Sequence, residues 1–295
     1  MSNPKNPSWY GGGLGSTLRP GANLGNVFYV DGNGPDTNNG LTPQTPLASI
    51  KAALALCVSQ RNDMIVVLDY WAAATEDWPI VVDKEMVSIV GAGYAGSLWP
   101  QVNPPGDTAA FNMTAQGSRI CNLAVHGGAT HGAIEIGATV WGIEIDNCWF
   151  GVTGAAQDGV RDVAPFDAVY LKVTNCRFGV ELTRDGVRIL HNATRGSIGT
   201  PQGGGNLFDR IPGIAINVVA AVQELGIYNN VIAIPANTAG AGITLSATTA
   251  NCIVSGNVAN FGDTTMGNNP FADGAGAGVN NWGLNYQGIT AVMPS

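Results

Sequence analysis

Apolar and polar residues alternate in short bursts along most of the chain, and the bursts meet at asparagine. In Ile143-Glu144-Ile145-Asp146-Asn147-Cys148-Trp149-Phe150, apolar residues lie two and four positions before the asparagine and one and three after it. Leu171-Lys172-Val173-Thr174-Asn175-Cys176-Arg177-Phe178 repeats the pattern, and so does Leu225-Gly226-Ile227-Tyr228-Asn229-Asn230-Val231-Ile232. Weaker copies centre on Asn122 and Asn257, and Asn206 before Leu207-Phe208 is a degenerate one. The steps between these asparagines are 25, 28, 31, 23 and 28 residues. Alternation of period two predicts two short strands meeting at each asparagine. Asparagine tolerates left-handed backbone angles, so it suits a one-residue bend. A third strand recurs upstream at Gly132–Ile136, Gly213–Ile216 and Gly242–Leu245.

Three strands and three corners per repeat predict a solenoid, an all-β single-stranded parallel β-helix. Asn122, Asn147, Asn175, Asn229 and Asn257 should form a structural ladder at one corner. Phe150, Phe178 and Ile232 should stack inside. The coil is expected over residues 27–262, beginning with a strand near Val27–Val30. Ser49–Val58 reads as a short helix capping the open end, whose unpaired strand edge otherwise invites aggregation. Residues 1–26 lack apolar periodicity. They predict an extended Gly/Pro-rich arm, disordered or anchored on a neighbour through Trp9, Tyr10 and Leu14. Residues 263–295 are expected to form a C-terminal cap or an oligomer contact, with a sugar site at Trp282 and Tyr286 as the alternative. Long insertions are expected at 96–117, 153–167 and 194–205.

The Ile-x-x-Asn-x-x-Phe rungs resemble the pectin-lyase-like right-handed parallel β-helices. So does the opening Phe28-Tyr29-Val30-Asp31-Gly32-Asn33-Gly34-Pro35-Asp36, followed by Pro46-Leu47-Ala48-Ser49-Ile50. The resemblance implies the right-handed fold. It leaves function open, because that fold carries lyases, hydrolases, epimerases, autotransporter passengers and non-enzymatic phage spikes.

Composition narrows the partners. The 295 residues carry 13 Lys and Arg against 21 Asp and Glu, a formal charge of −8 that argues against nucleic acid or an anionic membrane. The 41 glycines suit tight corners, and with only 12% of residues charged the outer surface is expected either to be partly covered by other subunits or to be polar and uncharged. No secretory leader and no membrane-spanning run is expected. Five cysteines do not make a disulfide framework. Cys148 and Cys176 share an inward column and are expected as small buried hydrophobes, a bridge between rungs being the minor alternative.

The search for chemistry finds no catalytic cluster. Hydrolysis of a glycan needs two carboxylates about 5–9 Å apart in an open groove. Glu135, Glu144, Asp146, Asp167 and Glu181 are the candidates. Arg119, Glu144 and Lys172 all lie three before their asparagines, which predicts a surface charge ladder instead. Arg161, Arg184, Arg188 and Arg195 could serve a lyase, but no motif ties one to an acid cluster. Asp31–Asn38 departs from a calcium loop and reads as turn chemistry. His126 and His131 lack a third ligand nearby for zinc. No metal and no cofactor is expected.

Three functions fit. The first is a non-enzymatic subunit of a tailed-phage virion: a capsid decoration, head spike or tail-associated protein. Its partners would be other virion subunits, with a homo-oligomer, a trimer by resemblance, and a host-surface glycan. It would be made in the host cytoplasm. The second is a glycan depolymerase tailspike, lyase or hydrolase. The third is a surface adhesin.

Overall fold

The computed structural model describes residues 25–35, 37–69, 76–93, 99–151, 156–163, 167–191, 194–234, 242–261, 270–276, 279–287 and 290–292. Three long sheets wind around one core, joined by a two-stranded one that pairs Val140–Trp141 with Ala168–Val169. Sheet A has ten strands, from Val27–Asp31 through Glu144–Asp146 to Asn281–Trp282. Sheet B has eight, from Ile80–Val82 to Phe271–Asp273. Sheet C has nine, from Gln101–Val102 to Thr290–Val292. Pairing is parallel throughout, save that Thr290–Val292 returns antiparallel to Asn285–Gln287. This is the parallel β-helix that the spacing of the asparagines predicts.

One turn shows the construction. The sheet A strand Glu144–Asp146 bends at Asn147 into the sheet C strand Trp149–Phe150. After a loop, Asp158–Asp162 adds to sheet B. A short strand at Ala168–Val169 and a corner at Tyr170 lead into Lys172–Thr174, the next strand of sheet A. Inward side chains stack directly over those of the next turn. Phe150 and Phe178 lie face to face at 4.8 Å, and Phe178 and Phe208 at 4.5 Å. Phe208 then pairs in register with Ile232. The rings are fully buried, each contributing about 1.5–3 kcal/mol by burial. They lie against Gly159 and Gly186, where an added Cβ would meet ring carbons at 2.5 Å.

The asparagines divide into two columns. Asn122, Asn147, Asn175 and Asn229 occupy the left-handed corner position, with φ of 58°, 50°, 54° and 55°. Asn257 does not join them, contrary to the expected ladder. The corner of its turn is Gly256, at φ 73°, and Asn257 sits one residue further on. There it belongs to a buried inner column with Asn206, Asn230 and Asn285. Asn230 Nδ2 donates to Asn257 Oδ1 at 2.8 Å, and Asn257 Nδ2 to Asn285 Oδ1 at 2.9 Å. Backbone N–H groups reinforce the chain: Asn206 N donates to Asn230 Oδ1 at 3.0 Å. Cys148 and Cys176 continue the same column as free, buried thiols, and Cys176 N donates to Asn206 Oδ1 at 2.9 Å.

The first end is capped as the sequence predicts. Helix α1, Ile50–Leu56, buries Ile50, Ala53 and Leu54. Ser49 caps it by accepting from Ala52 N at 3.1 Å, and the Glu76 carboxylate takes Ile50 N and Lys51 N at 2.8 and 3.0 Å. Asp63, with no exposed side-chain surface, ties this end together. It accepts from Asn26 N, Val58 N and the Arg61 guanidinium, each at 2.7 Å.

Several boundaries differ from the sequence expectation. The coil continues past residue 262: Phe271–Asp273, Asn281–Trp282 and Asn285–Gln287 extend all three sheets. The expected insertions carry strands of the coil at Gln101–Val102, Phe111–Met113, Asp158–Asp162 and Ser197–Ile198. None of these strands flanks an asparagine of the repeat, and Asp158–Asp162 turns aspartates rather than apolar residues inward at its ends. The arm, with Trp9, Tyr10 and Leu14, lies outside the described residues. Gly25 and Asn26 are held by Asn62 and Asp63 and so belong to the coil.

Candidate functional site

The corner entering sheet A is left-handed in turn after turn. Gln60, Met86, Gly117, Gly142, Tyr170, Arg195, Glu224 and Asn251 occupy it, with φ between 55° and 72°. From Gln60 to Glu224, each backbone N–H donates to the carbonyl of the residue preceding the corner of the next turn. A left-handed corner costs a non-glycine residue about 1–2 kcal/mol, yet six of these eight positions carry side chains. Gly117 and Gly142 are adjacent in the stack. A Cβ on Gly142 would meet nothing nearer than the Gly117 Cα, at 3.9 Å. The two glycines therefore cut a notch in a ridge that is otherwise built of side chains.

The notch is a shallow groove of about 430 Å³. Trp141, which precedes the Gly142 corner, stands on one side with Tyr170 beside it. Their rings lie 6.1 Å apart, tilted by 54°. Both are exposed, Trp141 at 57% and Tyr170 at 38%. Glu85 and Gln116 line the other side. Glu85 accepts from Gln116 Nε2 at 3.0 Å and from Gln60 Nε2 at 2.6 Å. Glu144 and Lys172, from adjacent sheet A strands, complete the lining at 3.1 Å from one another. Large aromatics are usually buried, so two on an open groove point to recognition.

Glu144 and Lys172 thus stand in the ladder expected from the sequence: Glu144 pairs in register with Arg119 on one side and Lys172 on the other. Asp146 differs. It is nearly buried, taking Arg119 Nη2 at 3.0 Å and Thr174 Oγ1 and Asn175 Nδ2 at 2.8 Å. Glu135 lies on sheet B, where Arg161 Nε donates to it at 2.9 Å and His131 Nδ1 stands 3.1 Å away. Arg184 pairs with Asp158, and Arg188 with Asp185 at 2.7 Å. Glu181 follows a sheet C strand, and Asp167 precedes Ala168. Glu144 and Asp146 therefore share one strand and both lie beside Arg119, while Glu135, Asp167 and Glu181 fall on other elements. Asp31 Oδ1 accepts from Asn33 N at 3.0 Å, as a turn does. Among the described residues no group of three or more His, Cys, Asp or Glu side chains is arranged to hold a metal ion.

Trp282 packs against the buried Phe271 with the rings 6.1 Å apart and tilted by 54°, and its Nε1 donates to Asp273 Oδ2 at 2.7 Å. It closes the far turns. Trp141 and Tyr170 carry no sequence signal. Trp141 has the same parity as the inward Ile143 and Ile145, so alternation assigns it to the core. The left-handed backbone at Gly142 breaks that alternation.

A family model covers the coil from Val30 to the last described residue. The chain belongs to the family described as "Protein of unknown function (DUF1565)", matched over residues 30–292. No curated protein is similar to it. Among solved structures, a rhamnogalacturonan lyase superposes with a TM-score of 0.52 and 11% identity, covering 80% of this chain and 74% of that one. Pectate lyase Pel9A follows at a TM-score of 0.48 and 14% identity, with 91% and 77% covered. The likeness to the first establishes a pectin-lyase-like right-handed parallel β-helix, and at this identity it establishes the fold alone.

Proposed function

We propose that the protein is a glycan-binding β-helix, and that the groove beside Trp141 and Tyr170 receives the sugar. The observation that carries the reading is the pairing of exposed aromatic rings with a notch made by two stacked glycines. The C–H face of a pyranose is complementary to the negative face of an aromatic ring. Gln116, Glu85, Glu144 and Lys172 supply amide, carboxylate and ammonium groups for hydroxyls at the rim.

Recognition without cleavage is the form we favour. Hydrolysis needs one carboxyl to give a proton and another to act as base or nucleophile. Glu85 and Glu144 share the groove, but Glu85 is engaged by two glutamine amides and Glu144 by Lys172. Incubation with a panel of polysaccharides tests this: no new reducing ends or unsaturated sugars should appear. Product release that Glu144→Gln abolishes would replace the binding reading with a depolymerase.

The tailed-phage address, the partner subunits and the trimer remain proposals. They draw on the arm of residues 1–26 and are independent of the groove. The native mass of the assembly, and its presence or absence in purified virions, tests them.

A further inference from the structure

The charges around the groove deepen the glycan-binding reading, on which this inference rests. Glu85 and Glu144 both line it. The single ammonium in the lining, Lys172, is already 3.1 Å from Glu144 Oε1. Arg119 adds little open positive charge, since its side chain is only 11% exposed and lies against Glu144 and Asp146. Arg195, behind Tyr170, is held by Glu224 at 2.6 Å. The groove thus presents more carboxylate than free cation, on a chain whose formal charge is −8.

A uronate polymer would bring a carboxylate with every residue. Like charges in a partly desolvated groove repel, and no unpaired cation in the lining offsets them. A neutral sugar meets no such cost. Its hydroxyls donate to Glu85 and Glu144 and accept from Gln116 and Lys172, and its C–H face lies on Trp141. We infer that the groove selects uncharged oligosaccharides, of hexose or N-acetylhexosamine units, and rejects uronate-containing ones.

The test is titration of the full chain with a panel of neutral gluco-, manno-, galacto- and N-acetylglucosamine oligomers and with oligogalacturonate. Binding is followed by tryptophan fluorescence in wild type and Trp141→Ala, at low and at physiological ionic strength. A neutral oligomer should bind in a Trp141-dependent way. Oligogalacturonate should bind at least about tenfold more weakly, with the gap narrowing as salt screens the repulsion. The double variant Glu85→Gln/Glu144→Gln should narrow it further. Trp141-dependent binding of oligogalacturonate as tight as the best neutral oligomer would overturn the inference and leave the glycan reading intact. Failure of every saccharide to bind would overturn both.

Discussion

Arg195 Nη1 donates to the Tyr170 hydroxyl at 3.3 Å, reaching from one turn of the coil to its neighbour. Glu224 Oε2 holds the same guanidinium at 2.6 Å from the turn beyond. Three consecutive left-handed corner residues are thereby tied in a line. The aromatic wall of the groove is set by side chains that do not line it.

Arg195 should therefore act on binding more than on stability. Its pair with Glu224 is exposed on both sides, and such pairs contribute about 0–1 kcal/mol. Freeing Tyr170 to rotate should cost about 0.5–1.5 kcal/mol of affinity, the usual cost of ordering one side chain. Calorimetric titration of Arg195→Ala, beside its thermal melt, checks this. Unchanged affinity would remove Arg195 from the site.

The inner asparagine column should matter more to stability than the outer corners. Asn230 is fully buried, donates to Ile198 O and Asn257 Oδ1, and accepts from Asn206 N and Nδ2. Asn230→Leu leaves several buried groups unpaired at about 1–3 kcal/mol each. Asn175→Gly, at an exposed corner of φ 54°, should cost about 1 kcal/mol or less, because glycine accepts that backbone. Denaturant unfolding of the two variants should rank them in that order.

The fold was legible because its signal is repetition. Apolar alternation around an asparagine recurs often enough to mark turns even where single copies are degenerate. Ser49 and the apolar spacing of Ile50, Ala53 and Leu54 sufficed for the cap. What alternation cannot report is a break in parity. Asn257 was misplaced by one residue because Gly256 takes the corner, and Asn229-Asn230 offers both positions at once. Trp141 was hidden for the same reason, since a left-handed residue at Gly142 turns an apparently inward side chain outward. The end of the coil was missed because Phe271–Asp273 and Asn281–Trp282 are too short to show a period.

Asp63 should make stability depend on acid. Burial raises the pKa of this carboxyl, but Arg61 and the N–H groups of Val58 and Asn26 together outweigh burial and hold it below its ordinary value of 3.8. A carboxyl depressed on folding contributes stability above its unfolded value, and that contribution is lost as pH falls through the folded value. Asp63→Asn should destabilise the protein at neutral pH, by about 2–4 kcal/mol for a buried charge-assisted hub. The difference from wild type should shrink below about pH 4. A gap that stays constant down to pH 2, about two units below the ordinary carboxylate range, would show that Asp63 acts through shape rather than charge.

The thiols should be inert while the coil is intact. Burial pushes Cys57 up to about 12, and it raises Cys121, Cys148 and Cys252 as well. The thiolate is the reactive form, so iodoacetamide at neutral pH should label these cysteines only after denaturation. Rapid labelling of the native protein at Cys148 would place that column at the surface.

The most direct test of the glycan-binding account is the affinity of Trp141→Ala for the best-binding neutral oligosaccharide, measured by calorimetric titration against wild type. Trp141 is mostly exposed, so the variant should melt with the wild type. Removing an aromatic anchor from a recognition site typically costs about 2 kcal/mol or more, roughly thirtyfold in affinity. A folded Trp141→Ala protein that binds the sugar as tightly as wild type would contradict the account.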